Sequence, residues 1–459
     1  FLNRVVSIVD VIVRDHFKPL SERVHRPVGM GGIAGGTKYI VDNILFKFAN
    51  PTEGPYLGSY ELANKATGHD LRGAISIFHA IEDARTDDEE VIVNLNTSLM
   101  ALVDHLGFRV HAQTLLDLGP GSLKVGSGDA CDTVPHGARD GTELPVNDAM
   151  CMIARRLGLA VHEIKVGNDT VRLGFGADVE AHVDENGVGR VLDTARVFPP
   201  EHYSTTTVQT SKKTGKKLMA KCFPGCPGRK LKGKEKKKAC VCPPRELLSV
   251  VDDNLSIYWR LLRPELLTVL KDKDYGDGLE EAKGLSSDGF SRFAATGSDS
   301  AKHNARLRVA TEFLMNVQVP AAACALVARP TNRWADGAEL TVVFHRLGVN
   351  MRHAGAVWSL LNSKCKKLRA ECEKLGSDPS KKTEWEEAKQ ALREHESARR
   401  AVVQEMFVRA AKNLLRRDLR GVMEMGAGAH EIVELVSKAF TGLTPTASAD
   451  GAGANDTDV

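Results

Sequence analysis

The sequence predicts an α+β fold over its first two hundred residues, followed by an α-helical region that ends in a long helical hairpin. Three observations carry this expectation. Short β-branched and aromatic runs, punctuated by Gly, Asn and Asp turn signals, extend as far as Pro199-Pro200. From Arg245 the apolar residues take helical spacing almost to residue 440. A content of 42% hydrophobic and 26% charged residues over 459 positions is that of a globular chain with room for several domains.

Taken in order, Val5 to Val13 form a short strand or helix, and a glycine cluster at Gly29, Gly31, Gly32, Gly35 and Gly36 precedes one strand over Tyr39–Ala49. Tyr60 to about Asp83 has helical spacing. Its apolar stripe is read as Leu62, Ala63, Ala66, Leu71, Ala74, Ile75 and Phe78, in preference to the row Leu62, Ala66, His69, Gly73 and Ile77. Met100 to Leu118 is a hairpin turning at His105-Leu106-Gly107, and Leu144 to Leu159 is a helix ended by Gly158. Strands are expected at Thr170–Phe175 and Gly189–Leu192. Residues 356–420 divide at Gly376-Ser377-Asp378-Pro379-Ser380 into two antiparallel helices. The expected divisions are residues 1–205 (α+β core), 206–244 (basic, cysteine-containing insertion), 245–355 (helical remainder), 356–442 (helical hairpin region) and 443–459 (a small, polar, disordered tail).

Lys and Arg number 62 against 59 Asp and Glu, a formal net charge of +3. That balance conceals a local excess. Between Ser211 and Lys238 stand Lys212, Lys213, Lys216, Lys217, Lys221, Arg229, Lys230, Lys232, Lys234, Lys236, Lys237 and Lys238 against one acid, Glu235, so the remainder is net acidic. Such a window can neutralise several phosphates in a salt-sensitive, largely sequence-independent way. Only Tyr203 and Phe223 lie near it to stack on bases, and a solvated lysine-rich loop or a localisation patch is the plainer reading. Cys222, Cys226, Cys240 and Cys242 frame the window; four thiolates can hold a structural Zn²⁺ tetrahedrally, or stay free in a flexible loop. Nine cysteines in this length do not form a secreted disulfide framework, so a reducing compartment is expected. Cys365 and Cys372 share a helix face, and Cys131, Cys151 and Cys324 read as core. No run approaches the ~18 apolar residues of a membrane helix, so no membrane insertion is expected. The chain begins at Phe1 without an initiator methionine, so a fragment or a processed form is expected.

Several phrases resemble one family. Leu62-Ala63-Asn64-Lys65-Ala66-Thr67-Gly68-His69-Asp70-Leu71-Arg72-Gly73, the run from Leu99 to Arg109, the block from Asp178 to His182, and the run from Leu192 to Glu201 are similar to the central Clu domain of the clustered mitochondria family. Arg260 to Leu266, Leu285 to Asp288, His303-Asn304, His345 to His353 and Arg409 to Arg416 follow in the family's order, the last resembling its C-terminal helical region. Thr194 stands where the family usually has an aromatic, the basic insertion is longer than the usual connection, and the tetratricopeptide array and ubiquitin-like region of full-length members are absent from the sequence. The resemblance implies a cytoplasmic protein that keeps mitochondria dispersed, acting through messenger RNA for mitochondrial proteins or through ribosomes, and no catalytic residue.

One alternative stays open. A glycine-rich turn, a strand lysine (Lys47), a helix acid (Glu61) and an aspartate after a late turn (Asp193) follow the order of parts in protein-kinase-like folds, with Asp178 or His182 near the position of a catalytic loop. The glycines do not match the kinase spacing, and Thr194-Ala195 replaces Phe-Gly. A kinase-like fold without catalysis lies between the two readings. His69, His111, His182, His303, His345 and His353 have no metal-ligand spacing and read as structural.

Overall fold

The first helix, α1 (Leu2–Asp15), places Val5, Ile8, Val9, Ile12 and Val13 on one buried face at helical spacing. Each such burial is worth about 1.5–3 kcal/mol relative to exposure. The partner surface is a five-stranded antiparallel sheet made by β1 (Gly29–Met30), β2 (Thr37–Val41), β3 (Ile44–Phe48), β5 (Met100–His105) and β6 (Phe108–Thr114), in the order β1-β2-β3-β6-β5. Tyr39, Phe46, Phe48, Phe108 and Val110 pack against α1. In this computed structural model residues 1–30, 37–51, 56, 58–87, 94–127, 136–139, 144–166, 168–202, 258–275, 277–279, 283–291, 297–329, 337–426 and 428–441 are described. The segment from Ser211 to Lys238 with its framing cysteines, Cys131, the glycines from Gly31 to Gly36 and the 443–459 tail lie outside the described residues.

The stretch 39–49 is two strands where one was expected. Asp42 and Asn43 both have positive φ, 52° and 57°, the backbone of a tight two-residue hairpin turn that Asn and Asp tolerate. Alternation along β3 then buries Ile44, Phe46 and Phe48 toward α1 and turns Lys47 to the opposite face.

Helix α2 (Tyr60–Thr86) begins at Ser59, whose hydroxyl accepts from the Leu62 N–H. Its buried face differs from the expected stripe. Ala66, His69, Gly73, Ile77 and Ala80 are inside, while Ile75 and Phe78 are about half exposed. The reason is Gly73: a Cβ there would lie 2.1 Å from the Thr194 carbonyl oxygen, so only glycine lets residues 194–196 press against this side of α2. Beyond it, β4 (Leu95–Thr97), β7 (Leu123–Val125), β11 (Glu180–Val183) and β12 (Gly189–Leu192) form a sheet in the order β4-β12-β11-β7. Another sheet runs β8-β10-β9, from β8 (Ala138–Arg139), β9 (His162–Val166) and β10 (Asp169–Leu173). Between them α3 (Pro145–Arg156) ends before Gly158, which has φ +74°.

The remainder is helical: α4 (Pro264–Leu270), α5 (Ser300–Phe313), α6 (Val319–Val327), α7 (Gly337–Arg346), α8 (Ala354–Gly376), α9 (Lys382–Glu424) and α10 (Ala429–Thr441). A π-turn at Leu314–Gln318 joins α5 to α6 just before Pro320, which has no N–H for the α-helical ladder. The joined run Ser300–Val327 is long and apolar enough by composition to cross a membrane, a property that counting uninterrupted apolar residues misses. Its Leu307, Ala310, Leu314, Ala322 and Leu326 lie in the main core, which runs from Ile77 on α2 to Val402 on α9. Cys151 and Cys365 are buried, whereas Cys324 is exposed, contrary to its reading as core. Helices α8 and α9 form the expected antiparallel hairpin, and α9 continues onto the first sheet.

Candidate functional site

Strand β3, helix α2 and the turn after β12 bring three of the chemistry-bearing residues together. Lys47 Nζ donates to Asp193 Oδ1 at 3.0 Å, with their side chains 26% and 46% exposed, so the pair opens to solvent. Asp193 has φ 49°, a left-handed conformation that aims its carboxylate back over the sheet. Burial alone would lower the Lys47 pKa, but Asp193 and then Asp70 outweigh it and hold it above the ordinary lysine value. Burial would likewise raise Asp193, and Lys47 overrides it and keeps the carboxyl below its ordinary value.

Asp70 on α2 supports this pair from beneath. Its Oδ1 accepts from the Thr194 N–H at 2.9 Å and lies 2.8 Å from Thr194 Oγ1, while Oδ2 is 3.6 Å from His111 Nδ1. His111 sits opposite Lys47 in the β3–β6 register. Burial, opposed by Asp70 and reinforced by Lys47, keeps its ring below the ordinary histidine value. Glu61, the helix acid of the kinase-like order, is elsewhere: its Oε1 is 3.4 Å from Arg420 Nη2 on α9. Asp70, two and a half turns further along α2, is the acid that acts on Lys47.

Behind Asp193 lies a buried ionic network. Arg196 donates through Nη1 to Asp178 at 2.9 Å and through Nη2 to Asp288 at 2.7 Å, and its guanidinium lies 5.7 Å from the centre of the Tyr258 ring. Asp288 also accepts from the Ala177 N–H at 3.0 Å and is 2.9 Å from His162 Nε2. The two carboxylates share one guanidinium unequally. Asp288, with more donors, is held down at about 2 despite its burial, whereas burial pushes Asp178 up to about 6. Glu201 is similarly surrounded, by His353 at 2.7 Å and Arg352 at 2.6 Å, and sits at about 2.

Chemically, the Lys47–Asp193 pair offers a solvent-facing cation whose carboxylate partner could give way to an anionic group. Asp178, committed to Arg196, is structural support rather than an open ligand. Among the described residues no group of three or more His, Cys, Asp or Glu could hold a metal ion. Of the histidines, His69 Nε2 meets the Trp259 carbonyl at 3.3 Å, and His182 lies between Ser122 and Glu180. The sequence reading missed Asp70, Arg196 and Asp288 as site residues, although each lies within a phrase that carries the family resemblance.

Comparison with known families covers the phrases from Leu62 to Glu201. Residues 1–203 match the family model described as Clustered mitochondria. The chain carries a Clu domain. Residues 331–451 match a second family model, translation initiation factor eIF3 subunit 135. No curated protein and no solved structure matches the chain. The Lys47–Asp193 pair and the Asp70–Thr194 contact fall inside the Clu match, whereas Asp288 lies beyond it and completes the network from the intervening segment. The Clu sheet and the eIF3-like helices meet directly: Arg420 Nη1 on α9 donates to the Gly107 carbonyl at 2.7 Å, and Arg416 pairs with Asp104.

Proposed function

We propose that this protein is a non-enzymatic, cytoplasmic factor for mitochondrial distribution that acts through messenger RNA for mitochondrial proteins or through the ribosome. The observation that carries the reading is the docking of a region resembling an initiation-factor subunit onto a Clu domain, through Arg416, Arg420 and the Gly107 turn. One body then joins a mitochondrial-distribution module to a translation-related one. The basic residues Lys212, Lys213, Lys216, Lys217, Arg229, Lys230, Lys232, Lys236, Lys237 and Lys238 supply the phosphate contacts in this reading. Ultraviolet crosslinking in cells followed by sequencing should recover transcripts of mitochondrial proteins. In filter binding, deleting residues 211–238 should flatten the salt dependence by roughly 0.7 in log–log slope for each phosphate that the segment neutralises. An unchanged slope removes the segment from the mechanism, and failure to sediment with ribosomes or to crosslink to RNA refutes the function. In the same proposal Cys222, Cys226, Cys240 and Cys242 hold a structural zinc; metal analysis with and without Cys222→Ser tests it.

A second reading has one specific observation in its favour, the 3.0 Å contact between Lys47 and Asp193. It makes the cleft a nucleotide site of kinase-like design, with Asp70 in the role that sequence order gives to Glu61. Thermal stabilisation by Mg²⁺-ATP that is lost in Asp193→Ala supports it; no shift, or a shift that survives the substitution, refutes it.

A further inference from the structure

On the other side of α2 from Asp70, a cavity of about 480 Å³ lies between that helix, the segment around Arg263 and Arg352, and α9. Its wall is strongly cationic. Lys65 and Arg72 project from α2, Arg352 from the turn before α8, and Arg409, Lys412 and Arg416 from successive turns of α9. Glu61 is its one lining acid, and Glu61 already meets Arg420. Several of the cations are neutralised from behind: Arg352 by Glu201, Arg409 by Glu405 at 2.5 Å, Arg263 by Glu265 at 2.6 Å, and both Arg109 and Arg416 by Asp104. Lys65, Arg72 and Lys412 have no carboxylate partner among the described residues. One guanidinium nitrogen of Arg72, Nη1, is buried with no hydrogen-bond partner.

Gathering uncompensated cations is costly, and the side chains register it. Desolvation first, and then neighbouring cations, hold Lys65 and Lys412 below the ordinary lysine value and Arg72 down at about 10. An anion in the cavity would remove that repulsion.

We propose that this cavity binds a compact anion carrying several phosphates, clamped between α2 of the Clu domain and α9 of the eIF3-like region. Compactness follows from shape: the charges converge on a concave volume from facing elements, where a nucleic-acid backbone would need a cationic track. No Phe or Tyr lines it for base stacking, and Trp259, the one indole in the lining, is itself buried in a neighbouring apolar cluster. The site differs from both the basic segment and the Lys47–Asp193 cleft, and it stands or falls separately from them.

The test is isothermal titration calorimetry and thermal unfolding of the full chain with inositol hexakisphosphate and tripolyphosphate, with sulfate at matched ionic strength as control. Both polyphosphates should bind and raise the unfolding midpoint with concentration, and sulfate should do so far less. Lys65→Gln and Lys412→Gln should each weaken binding roughly tenfold, the effect of removing one charge-assisted hydrogen bond. Without ligand, each should leave the midpoint unchanged or higher, because repulsion is relieved. Arg72→Gln should weaken binding further, but the two lysine variants decide the matter if its buried side chain proves necessary for folding. Vesicles containing phosphatidylinositol bisphosphate, set against soluble inositol trisphosphate, separate a lipid headgroup from a free ligand. Polyphosphate binding equal in the parent and both lysine variants, a lower ligand-free midpoint in those variants, or loss of RNA binding alone would overturn the proposal.

Discussion

Arg420 is the side chain on which the contact between the Clu sheet and α9 most depends, and Arg420→Ala measures it. The residue is 5% exposed. Its Nη1 donates to the Gly107 carbonyl at 2.7 Å, a charge-assisted bond worth ~1.5–3 kcal/mol when the acceptor is otherwise stranded. The guanidinium stands 4.2 Å from the centre of the Tyr60 ring, adding ~0.5–1 kcal/mol. The contact with Glu61 is long at 3.4 Å and its carboxylate is 41% exposed, so screening leaves it a few tenths at most, on the order of 0.3 kcal/mol. Together these give an expected loss of about 2–4 kcal/mol, read by equilibrium urea unfolding with circular dichroism and tryptophan fluorescence followed in parallel. Arg420→Lys keeps the charge but loses the fork and should recover less than half of the stability. Tyr60→Phe keeps the ring face and should change it little. An Arg420→Ala protein within about 0.5 kcal/mol of the parent would refute the docking argument.

Three further expectations concern the segment behind Asp193. Asp288→Ala leaves Arg196 with Asp178 alone and takes the acceptor from His162 and the Ala177 N–H, and should cost ~3–5 kcal/mol by urea unfolding. Because the folded pKa of Asp288 is depressed to about 2 from 3.8, its stabilisation is present above pH 4 and fades as pH falls toward 2, and the substitution should flatten that acid limb. Asp178 has the opposite sign: raised to about 6, it contributes stability below pH 4 that is lost as pH rises through 6, so Asp178→Asn should abolish this slope in unfolding midpoints taken between pH 4 and 7. Gly73→Ala places a methyl 2.1 Å from the Thr194 carbonyl oxygen and should cost ~1–3 kcal/mol, whereas Gly68→Ala, whose nearest neighbour is 3.5 Å away, should be neutral or slightly stabilising; thermal unfolding compares the two.

Local structure was legible where local chemistry decides it. The hairpin through Leu106-Gly107, the helix stopped by Gly158 and the α8–α9 hairpin follow from turn residues and periodicity. The Asp42-Asn43 turn carried the same kind of signal but was submerged in a run of strand-forming residues. What could not be read was convergence. Lys65, Arg109, Arg263, Arg352 and Lys412 each fall in a phrase that carries the family resemblance, yet they are spread over some 350 positions and become one cavity only when α9 folds back against α2. A whole-chain charge of +3 is blind to such an arrangement.

The choice between Glu61 and Asp70 shows where periodicity runs out. Both are acids on one helix after the lysine strand, nine residues and about 13 Å apart along the axis. Sequence order gives the role to Glu61, and the apolar stripe assigned to α2 included Ile75 and Phe78, which the structure leaves about half exposed. The deciding constraint is Gly73, one turn beyond Asp70. Only a residue without a Cβ admits the Thr194 carbonyl, and once Thr194 is seated there its N–H and hydroxyl fall on the Asp70 carboxylate. That contact fixes the helix rotation, turns His69, Asp70 and Ile77 inward, and leaves Glu61 two and a half turns away for Arg420. The same close approach accounts for threonine at 194: a hydroxyl beside the Asp70 carboxylate can pair with it, and the small side chain fits a fully buried position. An aromatic there would need α2 to stand further from the 194–196 segment, and with it Asp70 further from Lys47.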